Sequence, residues 1–86
     1  MPVMPTIAVI NGIRIVIRYN DHPPPHFHAM QGGAEMRVRI ADLAIMSSNA
    51  PATMESTVVA WAAQHQAELA LRWACAQSAQ PLGRIA

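Results

Sequence analysis

The sequence predicts an α+β domain: a small antiparallel sheet of four strands, with a weak fifth, packed on one long C-terminal helix. Three observations predict it. Apolar residues alternate with period two in the first half of the 86-residue chain and recur at helical spacing in the second. An Asn-Gly pair joins the first two apolar runs. A cluster of prolines then separates that pair from the later strands.

Ile7 to Ile10 is a β-branched run, followed by Asn11-Gly12 and then Ile13-Arg14-Ile15-Val16-Ile17-Arg18-Tyr19. Both turn residues tolerate the positive φ of a type I′ turn, which makes this a strong hairpin signal. In the second strand Ile13, Ile15, Ile17 and Tyr19 share one face, while Arg14, Val16 and Arg18 share the other. Asn20 to Pro25 breaks the sheet, because successive prolines favour polyproline II and cannot donate to a ladder. His26 to Met30 reads as the third strand and Gln31-Gly32-Gly33 as a turn. Glu35 to Ile40 is the fourth strand, with Met36, Val38 and Ile40 facing one way and Arg37 and Arg39 the other. Asp42 to Met46 is the weak fifth strand, and 47–52 a loop.

From about Thr53 to Ala79 the pattern is helical, bounded by Pro51 and Pro81. Met54, Val58, Ala62, His65, Leu69 and Trp73 form one stripe, and Glu68 with Arg72 an i,i+4 pair. At about 1.5 Å per residue such a helix is near 40 Å long, more than a four-stranded sheet covers. The overhang implies a partner.

Length and composition allow one domain over residues 1–86, with 1–5 a loose N-terminus and 80–86 a loose tail. A core this small gains from partner binding, dimerisation or a metal. Hydrophobic residues make up 52% and charged residues 13%, a balance that implies apolar surface intended for another chain, although alanine supplies much of it. The net charge of +1 disfavours nucleic acid as a partner. The run from Ile7 to Ile17 is interrupted by Asn11, Gly12 and Arg14, too soon for a membrane span. The lone Cys75 allows no internal disulfide, and Met1-Pro2-Val3-Met4-Pro5 lacks a basic signal region. Together these lead to the expectation of a cytoplasmic protein.

The chemistry concentrates in Asp21-His22-Pro23-Pro24-Pro25-His26-Phe27-His28. With Phe27 extended, His26 and His28 face the same way, roughly 6 to 7 Å apart at Cα. Such a pair can chelate one divalent transition metal, zinc, nickel or manganese, at nitrogen–metal distances near 2.1 Å. His22 stands about 12 Å from His26 if the prolines are extended. It joins only if the proline run turns back, for instance through a cis peptide. Asp21 is a further ligand or an orienting partner. By parity the histidines emerge on the face that carries Arg14, Arg18, Arg37 and Arg39, a cationic surface suited to an anionic ligand. Three uses of His22, His26 and His28 stay open. They are a metal or ligand site, a structural or partner-recognition motif, and acid–base catalysis without metal, as in a small ribonuclease or phosphoesterase with the arginines stabilising phosphate.

Several stretches together resemble a group of short bacterial proteins, the family numbered 4160 among the domains of unknown function. They are Met4-Pro5-Thr6-Ile7, the Gly12-plus-apolar second strand, and Asn20-Asp21-His22 with Pro24-Pro25-His26-Phe27-His28. Gly32-Gly33-Ala34-Glu35 and Glu68-Leu69-Ala70-Leu71-Arg72-Trp73 complete the likeness. Pro23 departs from it, since the family more often has a polar residue there. The resemblance implies no settled activity. Genes of the family often lie beside those of another small family, in an arrangement similar to toxin–antitoxin modules. That implies an interaction domain whose partner is a small cognate protein encoded nearby, or a second copy of the chain.

Overall fold

The computed structural model describes residues 6–85; the expected loose N-terminus, 1–5, lies outside the described residues. Five strands form one antiparallel sheet in chain order: β1 (Thr6–Ile10), β2 (Ile13–Val16), β3 (His26–Gln31), β4 (Ala34–Arg39) and β5 (Ile45–Ser48). The β1–β2 turn is made by Asn11 and Gly12 at φ 49° and 78°, which fits the expected type I′ geometry, and pairs Ile10 with Ile13.

The fifth strand forms, but from Ile45 and not from Asp42. Asp42 instead organises the preceding turn. Its carboxylate accepts from the Ala44 amide at 3.1 Å and from Arg39 at 2.9 and 3.0 Å, and Leu43 takes a positive φ of 60°.

The expectation of one long C-terminal helix is corrected: there are two, α1 (Ala52–Ala63) and α2 (Gln66–Gln77). No proline or glycine breaks them. The amides of Gln64 and His65 bond three residues back, to Trp61 and Ala62, and His65 leaves helical geometry at φ −133°. Glu68 then pairs with His65 at 3.1 Å and not with Arg72, whose guanidinium reaches the Arg84 carbonyl. Gln66 donates to the Ile40 carbonyl at 2.8 Å, fixing the corner against the end of β4. Packing supplies the reason for the bend. The longest dimension of the molecule is 33 Å, and a straight helix of about 40 Å would leave its last turns without a surface to cover. Bending returns Leu69, Trp73 and Ala76 to the same core as Met54, Val58 and Ala62 of α1. The overhang, and the hint of a partner drawn from it, disappear.

The core lies between this helical layer and the sheet face bearing Ile13, Ile15, Phe27, Ala29, Met36 and Val38. Phe27 is fully buried, with its ring edge-on to Trp61 at 6.4 Å. Within the expected tail, Leu82 and Ile85 are buried, and the Ile85 amide donates to the Ile7 carbonyl of β1 at 2.7 Å. None of the helices among the described residues is long and apolar enough to cross a membrane.

Phe27 fixes the orientation of β3, so Phe27→Ala is expected to lower the unfolding free energy by about 3 to 5 kcal/mol. Urea denaturation followed by circular dichroism measures this. A loss below about 1 kcal/mol would show that the core does not depend on that ring.

Candidate metal centre

Successive residues of a strand point to opposite faces, so burying Phe27 sends His26 and His28 to the other face of β3. The register places His28 opposite Arg37 and Val16, and His26 opposite Arg39. Both imidazoles are nevertheless buried, 3% and 2% exposed. The 20–25 loop bends back toward them, with the Pro23–Pro24 peptide cis. Its return brings in Asp21 and leaves the side chain of His22 exposed. Only the backbone of His22 takes part, its amide donating to Asp21 Oδ1 at 2.8 Å.

Asp21 Oδ2 lies 3.0 Å from His26 Nε2 and 3.1 Å from His28 Nε2, and the two rings meet edge to face at 5.1 Å. The other ring nitrogens fix the tautomers. His26 Nδ1 is 2.8 Å from the Pro24 carbonyl, which can only accept, so Nδ1 carries a proton, and in the neutral ring Nε2 bears a lone pair. His28 Nδ1–H donates likewise to Glu35 Oε2 at 3.2 Å. With those tautomers, two bare nitrogens and a carboxylate oxygen converge. Acceptors do not attract one another, so a proton or a cation must lie among them. His26 Nε2 has no hydrogen-bond partner despite its closeness to Asp21, because its direction misses the oxygen. Among the described residues, Asp21, His26 and His28 are the group able to offer three ligand atoms to one metal ion.

Two of the cluster's three ligand-atom distances suit such an ion. Ligands about 2.1 Å from a metal are about 3.0 Å apart at adjacent octahedral positions and about 3.4 Å apart in a tetrahedron. The two Asp21–histidine distances, 3.0 and 3.1 Å, match the octahedral edge. Each histidine also donates its second ring N–H to a carbonyl or carboxylate, the arrangement that orients metal-bound imidazoles.

α2 holds the site from the side. Trp73 packs against the His26 ring at 5.3 Å, and Gln77 donates to the Asp21 carbonyl at 3.1 Å. The sequence reading missed Glu35, Trp73 and Gln77. Strand parity was a usable signal for Glu35, which shares the Arg37 face of β4. No local pattern pointed to the other two. The four arginines expected to line this face have separate partners: Arg14 the Thr6 hydroxyl, Arg18 the Glu35 carboxylate, Arg37 Ser47 and Arg39 Asp42.

Residues 12–74 match a family described as a domain of unknown function (DUF4160). No curated protein and no solved structure matches the chain.

Burial pushes the Asp21 carboxyl upward, but when the imidazoles are protonated, hydrogen bonds from His28 and the His22 amide, with the charges of His26 and His28, outweigh it and hold the group below its ordinary range. A lowered carboxyl stabilises the fold in full above about pH 4 and loses that contribution as pH falls through the folded-state value. Melting temperatures from pH 6 to pH 3 should therefore fall faster for the wild type than for Asp21→Asn. Parallel curves for the two proteins would contradict the carboxylate's role.

Proposed function

We propose that this chain, which belongs to the domain-of-unknown-function family DUF4160, binds a divalent transition metal through Asp21 Oδ2, His26 Nε2 and His28 Nε2. The convergence of those three atoms, with both Nδ1–H groups already committed elsewhere, is the observation that carries the reading. Two histidines and one carboxylate suit zinc, nickel or manganese and leave coordination positions for water or a ligand. An ion so held supplies Lewis acidity and a metal-bound water of lowered pKa.

The domain, on this reading, is a ligand-binding and interaction module of the bacterial cytoplasm, where Cys75 stays reduced, paired with a small cognate protein as in toxin–antitoxin-like modules. A metal-free ribonuclease is the less favoured use of the same residues. At 3% and 2% exposure, His26 and His28 do not reach a polynucleotide, and His22 stands alone outside the cluster. A phosphoesterase working through the metal remains compatible with the geometry.

Untagged protein should bind one zinc, nickel or manganese ion per chain by elemental analysis. Free metal at a hundredfold excess over Kd should stabilise it by about 2.7 kcal/mol in thermal melts. Asp21→Ala and His28→Ala should abolish both effects and His22→Ala neither. Binding should weaken on acidification as protons compete for the imidazoles. Protein that shows no metal above background and no shift with any of the three ions would end the proposal.

A further inference from the structure

Beside the candidate ligands runs a second feature that the metal reading does not use. Among the described residues, Arg18 Nε, His26 Nε2 and Arg72 Nε are buried side-chain nitrogens without a hydrogen-bond partner. A buried polar atom left unpaired costs on the order of 1 to 3 kcal/mol, so each orphan calls for an explanation. Arg72 lies on α2, with its guanidinium toward the Arg84 carbonyl. The other two belong to one chain of groups. Arg18 lies 3.8 Å from Glu35, Glu35 bonds His28, and His28 and His26 both face Asp21.

The four arginines of this side are not equivalent. Arg39 is held by Asp42 through two bonds, 2.9 and 3.0 Å, and the pair neutralises itself. Arg14 turns to the Thr6 hydroxyl, away from β3. Arg37 pairs with His28 in the register but turns its Nε–H to Ser47 of β5, away from β3. Arg18 has only Glu35, at a distance too long for a hydrogen bond, and a buried Nε–H with no acceptor. Of the four, Arg18 therefore remains for a ligand at this cluster.

We infer that Arg18 forms an oxyanion subsite beside the metal centre, and that it takes a phosphate group, free or as a monoester. The inference rests on the metal reading for the ligand's second anchor. Charge selects the ligand. A divalent ion and the Arg18 guanidinium face two carboxylates, Asp21 and Glu35, which leaves a net positive charge for an anion to neutralise. Geometry selects it as well: a guanidinium offers a planar fork of donors matching two phosphate oxygens, while a third oxygen suits a metal with open positions. A carboxylate ligand has two oxygens, too few to fill the guanidinium fork and reach the metal as well.

The test is calorimetric titration of inorganic phosphate, glycerol phosphate and acetate into full-length protein carrying one equivalent of zinc, and into the metal-free protein. Both phosphates should bind the zinc form more tightly than acetate. Glycerol phosphate binding better than inorganic phosphate identifies an ester as the source, and the reverse identifies free phosphate. Arg18→Gln should weaken phosphate binding about tenfold or more at unchanged zinc affinity. Arg18→Lys should restore little of it, because a lysine keeps the charge and lacks the Nε–H. Circular dichroism and zinc affinity of each variant report whether the fold survives. If zinc binds and phosphate does not, or if Arg18→Gln leaves phosphate affinity intact, the inference is overturned and the metal reading stands. If zinc fails to bind, nickel and manganese take its place in the titration; if none of the three binds, the metal reading falls, and the metal-free titration decides the subsite. There, phosphate binding lost in Arg18→Gln supports it, and none in the wild type overturns it.

Discussion

The pleat of β3 sends Phe27 into the core and the imidazoles on either side of it to the opposite face, where Asp21 lies within 3.1 Å of both. That alternation couples stability to chemistry. A fully buried Phe27 fixes the strand's rotation, and with it the direction of both histidines. A one-residue slip would place two imidazoles in the apolar core without partners and expose the aromatic ring. The hydrophobic effect thus selects the register that assembles the site, and no histidine contact has to specify it. The β3–β4 pairing, continuous from His26–Arg39 to Gln31–Ala34, then carries the same orientation to Glu35 and the arginines.

Much of this was legible in the sequence because it depends on period. Two-residue alternation identified the His26/His28 pair, the arginine-bearing face and the core face. The Asn11-Gly12 turn was legible because few residue pairs accept two positive φ values. The third member of the cluster was not legible in the same way. Whether Asp21 or His22 reached the pair depended on how the proline run bent. Polyproline geometry gives a length and no direction of return. The loop's path is set by tertiary contacts, such as that of Gln77 with the Asp21 carbonyl, and these join residues far apart in the chain.

The helix shows the opposite limit. Local propensity from Thr53 to Ala79 is uniformly helical, and no residue type marks the corner at Gln64 and His65. The break follows from size. A sheet of short strands in a body 33 Å long cannot bury one face of a helix of about 40 Å. Forfeiting a few helical hydrogen bonds at the corner is offset by returning Leu69 and Trp73 to the core, at roughly 1.5 to 3 kcal/mol per buried large side chain. The same bend brings Trp73 to His26 and Gln77 to Asp21, so the constraint that shortened the helix also closes the site.

The burial of this cluster argues against a purely structural role. A small domain has little core to spare, and apolar residues of similar volume stabilise a protein at least as well as a buried ionic group. As a metal-free network, the arrangement needs a proton held between Asp21 and the histidines, and even then His26 Nε2 gains no hydrogen bond. With a divalent ion the terms change. Both bare nitrogens would become ligands and the Asp21 carboxylate would balance charge, while Glu35 and the Pro24 carbonyl already take the remaining ring protons. The free energy of metal binding then adds to folding, which is what a small core lacks. One cation satisfies the orphan nitrogen and the clustered acceptors at once, whereas a proton satisfies only some of them.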